Sequence, residues 1–234
     1  WLSLSGLVGF VFGDIFLFQA YIDMGARLSQ VVFVSSPLIT AIMAYFILGE
    51  HIAPQGLLGM VLVVFAIIWV VLDKKPGPVE KAMLSANPPA RRLRGALFAF
   101  LAALGQSGGL ILSKIGAPDY NPFAATQIRV IAGLLGCMVL AACMKKIREP
   151  FRALKDLKAL RSLSIGAFFG PFLGVSLGLY AIQKTSSGIA ATLMGLTPIL
   201  ILIPAHFLRR EKISFRETVG AVLAVTGSAL IFFH

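Results

Sequence analysis

Two ionisable side chains fall inside runs of apolar residues, and this makes them the first candidates for chemistry. Asp14 lies mid-way along Leu2–Ile22, and Arg129 lies about 12 Å into Pro122–Met144 at about 1.5 Å of helix rise per residue. A charge at the centre of a bilayer costs at least about 2.5–3.5 kcal/mol, so each needs a compensating role. In a functional reading, Arg129 anchors a carboxylate or phosphate and Asp14 is a proton-titratable gate. In a structural reading, they neutralise one another or pair with a residue elsewhere. The uncharged polar residues in such runs are Gln19, Gln30, Gln106, Ser107, Thr126, Ser176, Tyr180 and Thr197. Gln106 stands out because Gly105, Ser107, Gly108 and Gly109 surround it, which lets backbone approach and leaves an amide to face a cavity. Gln106, Thr126 and Tyr180 therefore join Arg129 and Asp14 as candidates to line a substrate pathway. Hydrogen bonding between helices is the plainer role for such groups.

No enzyme active site is legible in the chain. The histidines are His51, His206 and His234, and none stands near a carboxylate or cysteine at metal-ligand spacing. A phosphate-binding glycine loop and a Gly-x-Ser-x-Gly elbow are both missing. Nothing calls for a cofactor or a metal. Cys137 and Cys143 are six residues apart in one segment, on different helix faces, and read as apolar packing residues.

The elements that hold these residues must be membrane helices. Hydrophobic residues make up 58% of the 234 and charged residues 13%, about half the charged share of a soluble domain. Eight apolar segments approach or meet the length of about 20 residues that a span requires. They are Leu2–Ile22, Leu28–Gly49, Gln55–Leu72, Gly95–Ile115, Pro122–Met144, Leu163–Gln183, Gly188–Leu208 and Thr218–Phe233. The net charge of +11 is concentrated in three loops, after the third, fifth and seventh segments. These loops share one face if every segment spans, and the positive-inside rule places them in the cytoplasm of a cell inner or plasma membrane. This pattern argues for anionic lipids at the basic loops and against nucleic acid. Phe151, Leu154, Leu157 and Leu160 recur among basic residues within Lys145–Leu160, as in a short helix on an anionic leaflet or a solvated loop.

The chain also repeats itself. Gly13–Leu72 aligns without a gap on Gly174–Phe233, 161 residues later, with twelve identities in 60 positions. Pro37 falls on Pro198, Glu50 on Glu211 and Gly59 on Gly220. Five segments separate the two copies, so the copies cross a membrane in opposite senses, an arrangement typical of secondary transporters. Pro37, Pro171 and Pro198 interrupt spans. The repeat-related pair, Pro37 and Pro198, are the hinge candidates. Gly166, Gly170, Gly174 and Gly178 form a smooth ridge, as do Ser5, Gly9 and Gly13, and both suit close helix crossing. The proline-rich stretch Asp73–Arg94 reads as a linker between halves. This gives residues 1–73 as the last three helices of a first half, 74–94 as the linker and 95–234 as a five-helix second half. If the halves are equivalent, two further segments are expected ahead of Trp1, roughly 60–70 residues at about 20 per span plus loops.

Ser36-Pro37, Leu48-Gly49-Glu50 and Gly59 in one copy, and Thr197-Pro198, Arg209-Arg210-Glu211 and Gly220 in the other, resemble the EamA-type half of the drug/metabolite transporter superfamily. Leu112-Ser113-Lys114, Asn121-Pro122 and Arg129 look like the opening of such a half. The second copy departs from the pattern at Arg210, where the family has Gly. The resemblance implies a ten-helix bundle of two inverted five-helix halves around a central cavity, and transport of small metabolites. The expectation is therefore an all-α polytopic membrane protein, an inverted-repeat transmembrane helix bundle with eight helices here out of ten. Its function would be secondary-active export or exchange of a small-molecule substrate, with a channel or a non-transport membrane protein as the alternative. The sequence is compatible with a homodimer.

Overall fold

The computed structural model describes residues 1–73, 87–145, 157–200 and 215–232. They form eight helical units: α1, Leu2–Met24; α2, Ala26–Leu48; α3, Pro54–Asp73; α4, Pro89–Gly116; α5, Pro122–Cys143; α6, Leu157–Ala167 continuing through Phe168–Gly174 and Val175–Lys184; α7, Ser187–Met194 with Thr197–Leu200; and α8, Phe215–Phe232. Among the described residues α1 to α6 each contain a stretch long and apolar enough to cross a membrane. The protein is an all-α, multi-pass membrane protein. Much of its outward surface is large apolar side chains, among them Leu134, Leu135 and Val139 of α5, which suit contact with lipid.

Local chemistry sets the helix ends. Asn121 caps α5, its Oδ1 accepting from the amides of Phe123 at 2.9 Å and Ala124 at 3.3 Å. Gly25 and Gly49 stop α1 and α2 at φ of 84° and 66°, which L side chains rarely adopt. α4 starts at Pro89, six residues before its apolar run. Pro88 is extended and Pro89 occupies the first turn, where a missing amide costs nothing. The basic residues thought to close the linker, Arg91, Arg92 and Arg94, are thus on a helix. Residues 74–86 of that linker, and most of Lys145–Leu160, lie outside the described residues.

The two copies match in detail. α1 winds as a π-helix over Leu7–Gly13 and α6 over Phe168–Gly174, the same offset of 161. α2 breaks at Val34-Ser35 and α7 at Gly195-Leu196. Pro37 and Pro198 each sit second in the segment after the break, so neither kinks a continuous helix. Thr197 Oγ1 donates to the Met194 carbonyl at 2.9 Å, the acceptor that Pro198 leaves without its amide.

α3 and α8 cross at the centre. A Cβ on Gly59 would stand 2.6 Å from the Gly227 carbonyl oxygen, and one on Gly220 would stand 3.4 Å from that of Ala66. Gly59 and Gly220 are equivalent, as are Ala66 and Gly227, so the contact is reciprocal about a pseudo-two-fold axis. It also runs antiparallel, because residue numbers rise in α3 as they fall in α8. Val63, Val64, Ile67, Val70 and Ala224 bury around it, together with Val34 and Ile199 from beside the two breaks.

Candidate functional site

A cavity of about 380 Å³ opens between the broken helices, with α3 and α4 completing the wall. Phe33, Val34 and Ser36 line it from α2, and their equivalents Met194, Gly195 and Thr197 line it from α7. Gln106 and Leu110 face it from α4. The lining is mostly apolar with a few polar groups, as in a small-molecule site. The Ser107 hydroxyl lies 3.0 Å from the Ser36 carbonyl oxygen and 3.4 Å from the Ser36 hydroxyl, holding the α2 break against α4. Gln30, another lining residue, bonds through its amide to the Tyr21 hydroxyl.

Arg129 stands behind this wall. Its side chain is 3% exposed, and its guanidinium carbon is 5.0 Å from the Phe10 ring centre. Phe10 and Gly9 belong to the π-helical stretch of α1, a form often found at functional sites. The position a Cβ on Gly9 would take is 3.7 Å from Arg129 Nη2 and 3.9 Å from Gln106 Oε1. The structure therefore brings Arg129 and Gln106 to one point. Arg129 Nε and the hydroxyls of Thr126 and Ser176 are buried without a hydrogen-bond partner among the described residues.

The remaining candidates are more scattered. Asp14 is half-buried on α1, one turn beyond Phe10, and no ion pair joins it to Arg129. Tyr180 is 52% exposed on α6, away from the cavity lining. Pro37 lines the cavity, and the backbone of Pro198 starts the matching segment of α7. Among the described residues no three His, Cys, Asp or Glu side chains gather as metal ligands would.

Sequence reasoning missed the residues that tie the two ends of the bundle. At one end Asp23 is fully buried, and its carboxylate accepts from Arg91 at 3.1 Å, from Arg94 at 2.9 and 3.0 Å and from Gln19 at 3.1 Å. At the other end Glu50 accepts from the Ser187 amide at 2.6 Å and the Ser187 hydroxyl at 2.9 Å. Lys114 pairs with Glu50 at 2.7 Å and donates to the Thr185 carbonyl at 2.7 Å. Glu50 thus caps α7, far along the chain and adjacent in space. Its equivalent, Glu211, lies outside the described residues. The signal for Asp23 was present in sequence, an acid at a helix end opposite a basic loop, but proximity across 68 residues was not.

The EamA-like transporter family matches residues 1–72 and 93–233, nearly the whole chain. The chain belongs to this family. It is 25% identical over 235 residues to an uncharacterized transporter of Synechocystis sp., covering 99% of this chain and 70% of that protein. An uncharacterized transporter of Clostridium kluyveri is 26% identical over 230 residues, covering 98% and 71%. One from Bacillus subtilis is 31% identical over 131 residues, covering 56% and 38%. A crystal structure superposes with a TM-score of 0.71 at 15% identity, over 99% of this chain and 74% of that one, and shares the fold. This EamA-family chain is a membrane transporter.

Proposed function

We propose that the protein is a secondary-active carrier that exports or exchanges small metabolites by alternating access. The observation that carries this reading is the cavity between the α2 and α7 breaks, lined by equivalent residues of the inverted copies. A helix break lets one segment tilt without its neighbour, and two breaks related by a pseudo-two-fold axis can open a shared cavity first to one side and then to the other. In this reading Val34-Ser35 and Gly195-Leu196, beside Pro37 and Pro198, are the hinges. The Asp23–Arg91–Arg94 cluster closes the basic end, which faces the cytoplasm of an inner or plasma membrane. The Glu50–Lys114–Ser187 cluster closes the opposite end. Asp14 has Val175 as its equivalent, so a coupling role for it would belong to one half alone.

The test is counterflow with full-length protein in proteoliposomes, using pooled labelled amino acids, nucleotides and sugar phosphates. A carrier concentrates label against an unlabelled internal pool. A channel equilibrates label without that overshoot. Overshoot in any one pool establishes the carrier and narrows its substrate. Equilibration without overshoot would replace the carrier by a channel.

A further inference from the structure

Most buried hydroxyls in this protein have a partner, and those of Thr126, Ser176 and Ser186 have none among the described residues. Ser29, Thr40, Ser107, Ser113 and Thr192 each donate to the carbonyl four residues earlier, at 2.6 to 2.9 Å. That bond lets a helix carry a hydroxyl into an apolar interior. Thr126 and Ser176 are 1% and 0% exposed, and neither hydroxyl makes this bond or any other among the described residues. Thr126 precedes Arg129 by one helical turn, so the two share a face of α5. Ser176 lies one turn before Leu179 of α6, and Leu179 packs on Ala125, the neighbour of Thr126. Ala125 and Leu179 thus bring together the stretches that carry Thr126, Arg129 and Ser176, where α5 packs on α6. Gln106 Oε1 and Arg129 Nη2 both come within van der Waals reach of the point a Cβ on Gly9 would take, at 3.9 and 3.7 Å.

Each group left unpaired in such a place carries a desolvation cost, and an unpaired guanidinium carries the largest. We propose that Arg129, Gln106, Thr126 and Ser176 form a subsite for the carboxylate of the transported solute, reached from the cavity past Gln106. The chemistry favours a carboxylate over a phosphate. One guanidinium supplies one positive charge and a planar fork that pairs with two carboxylate oxygens. A dianionic phosphate would leave a charge uncompensated in an interior with no second cation at hand among the described residues. The hydroxyls and the Gln106 amide, which presents its NH2 after a half-turn, satisfy the remaining lone pairs. This inference rests on the carrier reading for its biological use, but the subsite can be tested by itself.

The experiment measures thermal unfolding of full-length protein in lipid nanodiscs, at constant ionic strength in sodium chloride. Three small probes are titrated: acetate, acetamide and inorganic phosphate. Acetate should raise Tm saturably, and acetamide and phosphate should not. Arg129→Gln should raise the half-saturating acetate concentration by roughly tenfold or more, the scale of one charged hydrogen-bonded contact. Thr126→Val and Ser176→Ala keep the arginine and should each weaken acetate by a few-fold, so the proposal stays testable if Arg129→Gln does not fold. It is overturned if acetate leaves Tm unchanged, if acetamide or phosphate matches acetate, or if the variants respond like the parent. Counterflow without an acetate response removes the subsite and leaves the carrier. An acetate response in a protein that gives no overshoot removes the carrier and leaves the subsite.

Discussion

α1 and α6 are the same helix twice, and they meet different surroundings. Both contain a π-helical stretch at the same repeat position, and both carry a ridge of small residues. On α1 the ridge is packed at backbone distance. A Cβ on Gly109 of α4 would stand 2.9 Å from the Gly9 Cα, and one on Gly105 would stand 3.0 Å from the Gly13 Cα. On α6, nothing among the described residues lies within 4 Å of a Cβ on Gly166 or Gly170. Gly178 alone meets another helix, at Met194 of α7. A small-residue ridge is a capacity for close crossing, and a partner has to be present to use it.

The largest expected effect comes from filling the packed crossings. Gly59→Leu and Gly109→Val should lose most of the folded, membrane-inserted protein, because in both cases the added carbons meet backbone, which cannot turn aside. Overpacking costs about 1–3 kcal/mol for modest insertions and more where backbone is struck. Fluorescence size-exclusion chromatography of tagged variants would read this loss, and a normal monodisperse peak would refute the close crossing. The mirror experiment is Gly166→Leu on α6. It should be tolerated in this chain, with the melting temperature within a few degrees of the parent. A large loss in a longer form of the protein would show that a further segment covers the ridge, and would turn the contrast between α1 and α6 into a symmetry.

Intermediate effects belong to the two end clusters. Asp23→Asn removes the charge on which Arg91 and Arg94 converge and should lower the melting temperature clearly. Glu50→Gln should lower it less, since the amide keeps one acceptor for the α7 cap, and a lost cap costs about 1 kcal/mol. Scanning calorimetry or a thiol-reactive dye would rank the two, and a larger loss at Glu50 would reverse the weight given to the ends. The smallest effect on stability should come from Pro37→Ala. Pro37 sits in the first turn after a break, where a helix tolerates the missing amide. If the break is a hinge, the variant should melt normally and transport more slowly. Unchanged turnover would reduce the break to a fixed bend.

Much of the architecture was legible in sequence because it rests on local signals. Apolar runs, punctuation by Pro and Gly, and the in-register match of Pro37, Glu50 and Gly59 with their equivalents define helices and an inverted repeat with no knowledge of contacts. The repeat extends upstream of Gly13, where Leu2, Ser3 and Gly9 match Leu163, Ser164 and Gly170, and the π-helical stretch begins at Leu7, whose equivalent is Phe168. The candidate site was legible only in part. Arg129, Gln106 and Thr126 could be singled out as costly residues to bury, and Ser176 looked like ordinary helix glue. The hydroxyl that lacks its usual carbonyl looks, in sequence, like the hydroxyl that has one.

The sequence alone determined that this chain crosses a membrane several times, that it contains two inverted copies of one unit, and which polar residues need an explanation. Those conclusions follow from transfer free energy and periodicity, which act residue by residue. Only the tertiary structure decided that α2 and α7 break side by side around a cavity, that Glu50 caps a helix 137 residues away, and that Arg129 lies over Phe10 rather than against Asp14. The reason is geometric. Inside a bilayer most helix faces are apolar, so sequence offers little to choose which faces meet. The choice falls to backbone contact at a few glycines and to a handful of buried polar groups whose partners are distant in the chain.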